Sequence, residues 1–267
     1  MPGRFWGRRR QPASGEARTR ANIAAPVYKE MALQLTSTAE NSTPDWSTSF
    51  GYIEDIGDGR GYTAGLVGWC SGTGDMLQLL QSYTTAAPGN PLGRYLRMLE
   101  QIMDEAYEDR PALSHRLLDP SFVADWSSAA GDPAFRRAQQ EERDRVYWGP
   151  ALEEAARDGV GPLGLAIYYD VSVNHGPGDD EESFGGILAA ARRARRPPAR
   201  GGDESKYLAA VVEARVRILK AWGDYQRNGR QGIHSGLLKA GNLELIPPFS
   251  WSVYGDTFAL GSYPEPR

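Results

Sequence analysis

The chain has 267 residues, of which 40% are hydrophobic and 24% charged, with 31 glycines and 18 prolines. This composition is typical of a folded globular protein and excludes a fibrous or disordered one. No apolar run approaches the roughly 20 residues that a membrane helix needs, so we predict no membrane span. A single cysteine, Cys70, excludes an intrachain disulfide.

The net charge of −4 is unevenly distributed along the chain. Residues 1–22 contain six arginines and one acidic residue, Glu16, so this segment carries +5 and the remainder −9. An acidic body favours cationic partners and opposes nucleic-acid binding. We predict that residues 1–22 form a disordered basic tail without a recognisable signal peptide, and that residues 23–267 form one domain.

The predicted elements are mostly helices. Residues 26–40 have helical spacing and place Glu40 in the last turn, whereas residues 46–70 are dense in Gly, Asp and Tyr and predict a small irregular sheet, the only β-like region. Further helices are predicted at 74–83, 92–102, 132–145, 163–174 and 203–222, with Pro150 interrupting or ending the third of these. The fold class is therefore mainly α with a small β element.

Two carboxylates have the local settings of an acid and a base. Glu40 lies at a helix C-terminus, where exposed carbonyls favour a protonated carboxyl, which suits a general acid. Asp58 lies in a glycine-rich loop beside Arg60, whose charge favours the ionised form and suits a general base. Most glycosidases use such a pair of carboxyl groups, but a Glu at a helix end and an Asp in a turn are common in proteins of any function.

More specific evidence comes from three consecutive motifs: AENSTPDW at 39–46, YIEDIGDGRGYT at 52–63 and CSGTGD at 70–75. Together they resemble the active-site signature of glycoside hydrolase family 46, the bacterial chitosanases. The resemblance continues in family order through ERDRVY at 142–147, YYD at 168–170, HGPG at 175–178, GGDE at 201–204, LKAGNL at 238–243 and YGD at 254–256. It covers roughly residues 25–258.

This resemblance implies a lysozyme-like fold with two lobes around a substrate cleft, and endo-acting hydrolysis of β-1,4 links in chitosan with inversion. Glu40 matches the acid of the family, Asp58 its base, and Thr63 the residue that holds the attacking water. An inverting pair stands about 6.5 to 9.5 Å apart to leave room for that water. The implied partners are chitosan and glucosamine oligosaccharides, and we expect an extracellular monomer that needs no cofactor or metal.

The resemblance also implies substrate contacts and a buried ion network. The positions matching the cleft are Ser42, Tyr52, Glu54, Arg60, Thr73, Asp75 and His175. Asp75 is the best candidate for binding a glucosamine ammonium, because a carboxylate forms an ion pair that an acetylated unit cannot form. The network positions are Asp170, Arg215 and Arg230. Independently of the resemblance, Arg215 lies on an apolar helix stripe and Asp170 in an apolar helix, so each needs the other as a partner.

Three features depart from the family pattern. Trp222 and Gln226 stand where acidic residues are expected, so the sequence does not define the far subsites. Residues 104–119 fit poorly and are interpreted as a loop at one end of the cleft.

Other residues are assigned no catalytic role. The histidines are too scattered for a zinc site, and Cys70 is interpreted as a buried core thiol. Trp46, Trp126 and Trp251 are expected in the core.

Three alternative functions stay open on the sequence. One is a hydrolase of the same fold acting on another β-1,4 polymer, such as peptidoglycan or chitin. The second is a non-catalytic protein that binds polycations. The third is nucleic-acid binding through the arginines of residues 1–22, which would be steeply salt-dependent.

Overall fold

The structure is a computed structural model that describes residues 22–226 and 228–267. The predicted basic tail of residues 1–22 lies outside this range, except for Asn22 at its end. Eleven α-helices lie in the described part of the chain: α1 Pro26–Asn41, α2 Asp75–Ala86, α3 Leu96–Asp104, α4 Arg110–Leu118, α5 Phe122–Ala129, α6 Pro133–Arg143, α7 Gly149–Asp158, α8 Pro162–His175, α9 Phe184–Ala194, α10 Glu204–Trp222 and α11 Gln231–Lys239.

Five short strands form two antiparallel sheets in the same range. The first sheet has the order β1 (Ile53–Glu54), β2 (Thr63–Ala64) and β3 (Trp69–Cys70), with Thr63 opposite both Glu54 and Cys70. The second is a hairpin of β4 (Phe249–Val253) and β5 (Asp256–Leu260). The predicted class, mainly α with a small β element, is confirmed.

Most predicted helices have the expected starts. The Asp132 carboxylate accepts a hydrogen bond from Ala134 N at the start of α6, and Asp203 accepts one from Lys206 N at the start of α10. Both aspartates satisfy backbone N–H groups that have no partner inside their helices. The predicted caps are therefore present.

The helix begun at Asp132, which Pro150 was predicted to interrupt or end, is interrupted but not ended. Residues 144–148 form a π turn between α6 and α7, in which Gly149 N donates to Asp144 O, five residues earlier. Proline lacks an N–H and its ring crowds the carbonyl four residues back. The wider π turn accommodates it, so the helical path continues into α7.

Two further predictions are corrected. Residues 46–70 are not the only β region, because the hairpin β4–β5 lies near the end of the chain. Residues 104–119 are not simply a loop, since they contain a short 3-10 helix and α4.

The core is centred on α8, whose residues are buried on almost every side and which packs against α1, α7, α9 and α11. Trp46, Trp126 and Trp251 are buried, as expected, and so is Cys70. Trp251 Nε1 donates to Thr38 Oγ1 at 3.0 Å, which ties the hairpin to α1. Within the described ranges, no helix is long and apolar enough to cross a lipid bilayer.

Candidate active site

A cleft of about 680 Å³ lies between the first sheet and the ends of α1 and α8. Its walls come from three parts of the chain: the end of α1 with the segment after it, the β1–β3 region, and the last turn of α8. The lining residues include Glu40, Ser42, Tyr52, Arg60, Thr63, Val173 and Asn174. Glu40 and four other predicted site residues, Ser42, Tyr52, Arg60 and Thr63, therefore meet here, whereas Asp58 is not among the lining residues.

Glu40 lies in the last turn of α1 with its side chain exposed to this cleft. The helix ends because Ser42 adopts a left-handed conformation, with φ of 53°. The Arg230 guanidinium, from the residue before α11, donates to Glu40 Oε1. The carboxyl therefore lies between the C-terminal end of a helix and a buried guanidinium.

Arg230 belongs to a buried ion network that extends into α8 and α10. Its Nε donates to Asp170 Oδ1 at 2.8 Å, and Arg215 Nη1 donates to Asp170 Oδ2 at 2.6 Å. Arg215 also donates to Asn174 Oδ1 at 2.7 Å. Burial alone would raise the pKa of Asp170, but the two arginines hold it well below its ordinary value. The ion pair expected between Asp170 and Arg215 is present, and it connects to Glu40 through Arg230.

Asp58 lies in the exposed loop between β1 and β2. Gly57, Gly59 and Gly61 have φ values of 73°, 83° and 75°, a region that favours glycine, so the sequence permits a tightly curled loop here. Arg60 Nε donates to Asp58 Oδ2 at 2.8 Å, and Arg60 N donates to Asp58 Oδ1 at 3.1 Å. Burial tends to lower the pKa of Arg60, but the hydrogen bond with Asp58 and the negative charges nearby together raise it. The base candidate is thus paired with the cation that the sequence indicated.

Thr63 lies in β2, buried at the floor of the cleft. Its Oγ1 lies 3.5 Å from Cys70 Sγ on the neighbouring strand. Burial raises the pKa of the Cys70 thiol, which is therefore a neutral neighbour at ordinary pH. A small hydroxyl fixed on a strand is able to orient a water molecule without carrying charge.

The remaining substrate-contact candidates fall into two pairs and a single residue. Tyr52 lines the cleft and its hydroxyl lies 3.3 Å from Glu54 Oε2. Thr73 and Asp75 lie together at the start of α2, where Thr73 Oγ1 donates to Asp75 Oδ1 at 2.6 Å. His175 lies behind the cleft wall rather than on it: it is buried, and its ring stacks on Trp222 with centroids 4.9 Å apart.

Asp75 has one carboxylate oxygen bound to the protein. Cys70 N and Met76 N both donate to Oδ1 at 3.0 Å, in addition to the Thr73 hydroxyl. Burial raises the pKa of Asp75, while these hydrogen bonds oppose the rise. The arrangement fixes the carboxylate rigidly, and no described residue donates a hydrogen bond to Oδ2.

Sequence reasoning missed Asn174, which binds Arg215 and lines the cleft, and His234, whose Nε2 lies 3.8 Å from Asp170. It also missed His115, which contacts the loop that carries Asp58. Asn174 directly follows a buried helical run and precedes the HGPG motif, a signal that could have singled it out. His115 had no comparable signal. Across residues 22–226 and 228–267, no group of three or more His, Cys, Asp and Glu side chains is arranged to hold a metal ion.

Comparison with known proteins places this chain among characterised relatives. Residues 34–249 match the profile of Glycosyl hydrolase family 46. A Streptomyces chitosanase is 46% identical over 251 residues, which cover 94% of this chain and 88% of that protein. The fold superposes on a chitosanase co-crystallised with substrate with a TM-score of 0.84 and 43% identity, covering 91% of this chain and 100% of that one. A family 46 chitosanase of Gynuella sunshinyii in complex with chitotetraose superposes with a TM-score of 0.78 and 34% identity, covering 87% of this chain and 97% of that one. The expected lysozyme-like fold class is therefore confirmed.

Proposed function

Because this chain belongs to glycosyl hydrolase family 46, we propose that it is an endo-acting chitosanase that hydrolyses β-1,4 links between glucosamine units with inversion. Family membership makes it a glycoside hydrolase. The observation that supports the mechanism is the arrangement of Glu40 and Thr63 in one cleft with the Asp58–Arg60 loop at its edge.

In the proposed mechanism, Glu40 protonates the glycosidic oxygen as the bond to the anomeric carbon breaks. Asp58 accepts a proton from a water molecule that attacks the same carbon from the opposite face. Thr63 Oγ1 orients that water. The oxygen of water becomes the new anomeric hydroxyl, so a β-link gives an α-anomer.

Specificity for glucosamine is assigned to Asp75. Its free oxygen is suited to accept a charge-assisted hydrogen bond from the ammonium of a glucosamine unit. An N-acetylated unit offers a neutral amide instead and forms a weaker bond. The −9 charge outside residues 1–22 adds long-range attraction for a polycation.

The deciding experiment follows product anomers by proton NMR during hydrolysis of fully deacetylated chitosan, with chitin and peptidoglycan as parallel substrates. The α-anomer appearing first on chitosan supports the proposal. The β-anomer appearing first would indicate two displacements and a covalent intermediate. Cleavage of only chitin or peptidoglycan would favour the alternative hydrolase, and binding without cleavage would favour a polycation-binding protein.

We also propose that residues 23–267 act as one catalytic domain, as a monomer, outside the cell, without nucleic-acid or membrane partners. A polymeric substrate supports an extracellular location, because it is too large to enter a cell intact. Light scattering tests the monomer, and activity in the culture supernatant of an expressing strain tests the location.

A further inference from the structure

The His115 ring lies between two carboxylates on the surface near the catalytic loop. Its Nε2 is 2.7 Å from Asp55 Oδ2, and its Nδ1 is 3.2 Å from Asp119 Oδ2. The hydroxyl of Tyr62 donates to Asp119 and lies 3.1 Å from His115 Nδ1. We call these four residues the His115 cluster.

The protonation state of His115 decides how many of these contacts are attractive. A neutral imidazole has one N–H and donates from only one nitrogen, whereas the imidazolium donates from both. With carboxylate oxygens near both nitrogens, only the cation donates to Asp55 and Asp119 at the same time. The hydrogen bond with Asp55 raises the pKa of His115 above 6.5, helped by Asp119 and opposed by burial. The same hydrogen bond lowers the pKa of Asp55.

The cluster touches both ends of the loop that carries Asp58. Asp55 starts the loop, and its Oδ1 also accepts from Gly57 N at 2.8 Å. Tyr62 ends the loop immediately before Thr63, and its N–H donates to Ser71 Oγ at 2.9 Å. His115 is thus placed to close the loop at its two ends, with Asp58 between them.

The other side of the cluster is anchored to the protein body. His115 belongs to α4, and Asp119 directly follows this helix. Ser114 Oγ lies 2.8 Å from Ser71 Oγ, and Arg110 Nη1 donates to Gly72 O at 3.0 Å. These contacts fix α4 to the segment that follows β3, so α4 provides a firm support for the ring.

We propose that protonated His115 is a positioning residue that clamps the two ends of the 55–62 loop and thereby holds Asp58 at the cleft. This proposal rests on the proposed function, because it needs Asp58 as the base. Loss of the proton removes one arm of the clamp and lets the loop move.

The first test measures the pKa of His115 by NMR titration of the three histidines of the chain. Burial lowers the pKa of His175 and of His234 to about 4, so His115 is the histidine that titrates above 6.5. Asp55→Asn should lower the pKa of His115, because it removes one carboxylate. A His115 pKa at or below 6.5, or one that Asp55→Asn leaves unchanged, overturns the proposal.

The second test compares kcat of the wild type with that of His115→Gln on deacetylated chitosan across pH. A misplacement of about 1 Å costs up to about 100-fold, so we expect the wild type to be roughly 10- to 100-fold faster at low pH. This ratio should fall towards one as pH rises through the pKa of His115, with KM changing less than kcat. A ratio that is independent of pH would indicate a purely structural role and overturn the proposal.

Two controls complete the design. Arg116→Gln changes the exposed neighbour on α4 and should keep both the wild-type kcat and its pH profile. Asp55→Asn serves as a second kinetic variant if His115→Gln fails to fold, with the same convergence expected at high pH. If the wild type does not cleave chitosan, the proposed function fails, while the NMR titration still decides whether the clamp exists.

Discussion

Two regions of the molecule hold the two proposed catalytic carboxylates in opposite ways. Glu40 lies at the end of a buried helix and is bound by Arg230, which is itself paired with the buried Asp170. Asp58 lies on an exposed glycine-rich loop and is bound by Arg60, whose side chain is 44% exposed. One carboxylate is thus supported by the core and the other by the surface.

The difference matters because buried and exposed ion pairs behave differently. Removing one partner of a buried pair leaves an uncompensated charge and typically costs about 3–5 kcal/mol, whereas an exposed pair contributes about 0.2–1 kcal/mol. We therefore expect the helical region to govern the free energy of unfolding. Substitutions in the loop region should change turnover and its pH dependence, with little effect on folding.

The largest effect should come from removing either catalytic group. Glu40→Gln and Asp58→Asn should each lower kcat by at least about 100-fold, and up to about 10,000-fold, because an amide cannot transfer the proton. Initial rates on chitosan measure the loss, and circular dichroism should show intact folds. Near-normal turnover of Asp58→Asn would exclude Asp58 as the base and direct attention to Glu54.

The buried network should produce the largest effect on stability. Arg215→Ala and Asp170→Ala should each lower the free energy of unfolding by about 3–5 kcal/mol, and the double variant should cost less than the sum of both. Urea denaturation measures all three. Arg60→Gln is the exposed counterpart and should cost at most about 1 kcal/mol. Equal losses in the two regions, or strict additivity for Arg215 and Asp170, would contradict the comparison.

Asp75 is a third carboxylate, which belongs neither to the buried ion network nor to the exposed loop. Its Oδ1 accepts a hydrogen bond from Cys70 N and so joins α2 to the first sheet. Asp75→Asn should lower kcat/KM for glucosamine oligomers about 10- to 100-fold through loss of a charge-assisted hydrogen bond. Because burial raises the pKa of Asp75, this contact should weaken at a higher pH than for an ordinary aspartate as pH falls. A lower melting temperature with unchanged kcat/KM would make Asp75 a structural residue.

Local patterns in the sequence predicted most of the helices, because spacing, caps and proline positions are encoded within a few residues. The alternation of Phe249, Trp251 and Val253 before Gly255 was an available signal for the hairpin. It was missed because five-residue strands give a weak pattern compared with helices. The π turn before Pro150 was not predictable, since proline alone indicates a break.

The residues of the site also differ in whether local sequence patterns could predict them. The Asp170–Arg215 pair was predictable because each charge interrupts an apolar helical pattern and needs a partner. The resemblance supplied Arg230 and Thr63, which no spacing rule would identify. The pairing of His115 with Asp55 spans 60 residues and lies in the segment that fits the family poorly. Only the three-dimensional packing of α4 against the loop reveals it.

The smallest expected effect is on the free energy of unfolding, whose pH dependence should have opposite signs in the two regions. His234 is buried beside Asp170 with a pKa of about 4, so the unfolded chain binds the proton more readily, and stability falls as pH drops from about 6.5 towards 4. His115 has a raised pKa, so its contribution is fully present below about 6.5 and is lost as pH rises through that pKa. Acid therefore weakens the helical region and strengthens the loop clamp.

This sign difference is measurable with two matched variants. For each of His234→Gln and His115→Gln, urea denaturation between pH 5 and pH 8, a window chosen to bracket the ordinary histidine pKa of about 6.5, gives the stability relative to the wild type. The relative stability of His234→Gln should rise as pH falls, by at most about 1.4 kcal/mol per pH unit. That of His115→Gln should fall, by no more than about 1 kcal/mol in total, because the ring is partly exposed. Only the change of relative stability with pH is compared, so constant offsets from altered packing cancel. If the relative stability of both variants changed in the same direction with pH, His115 would not be held as a cation.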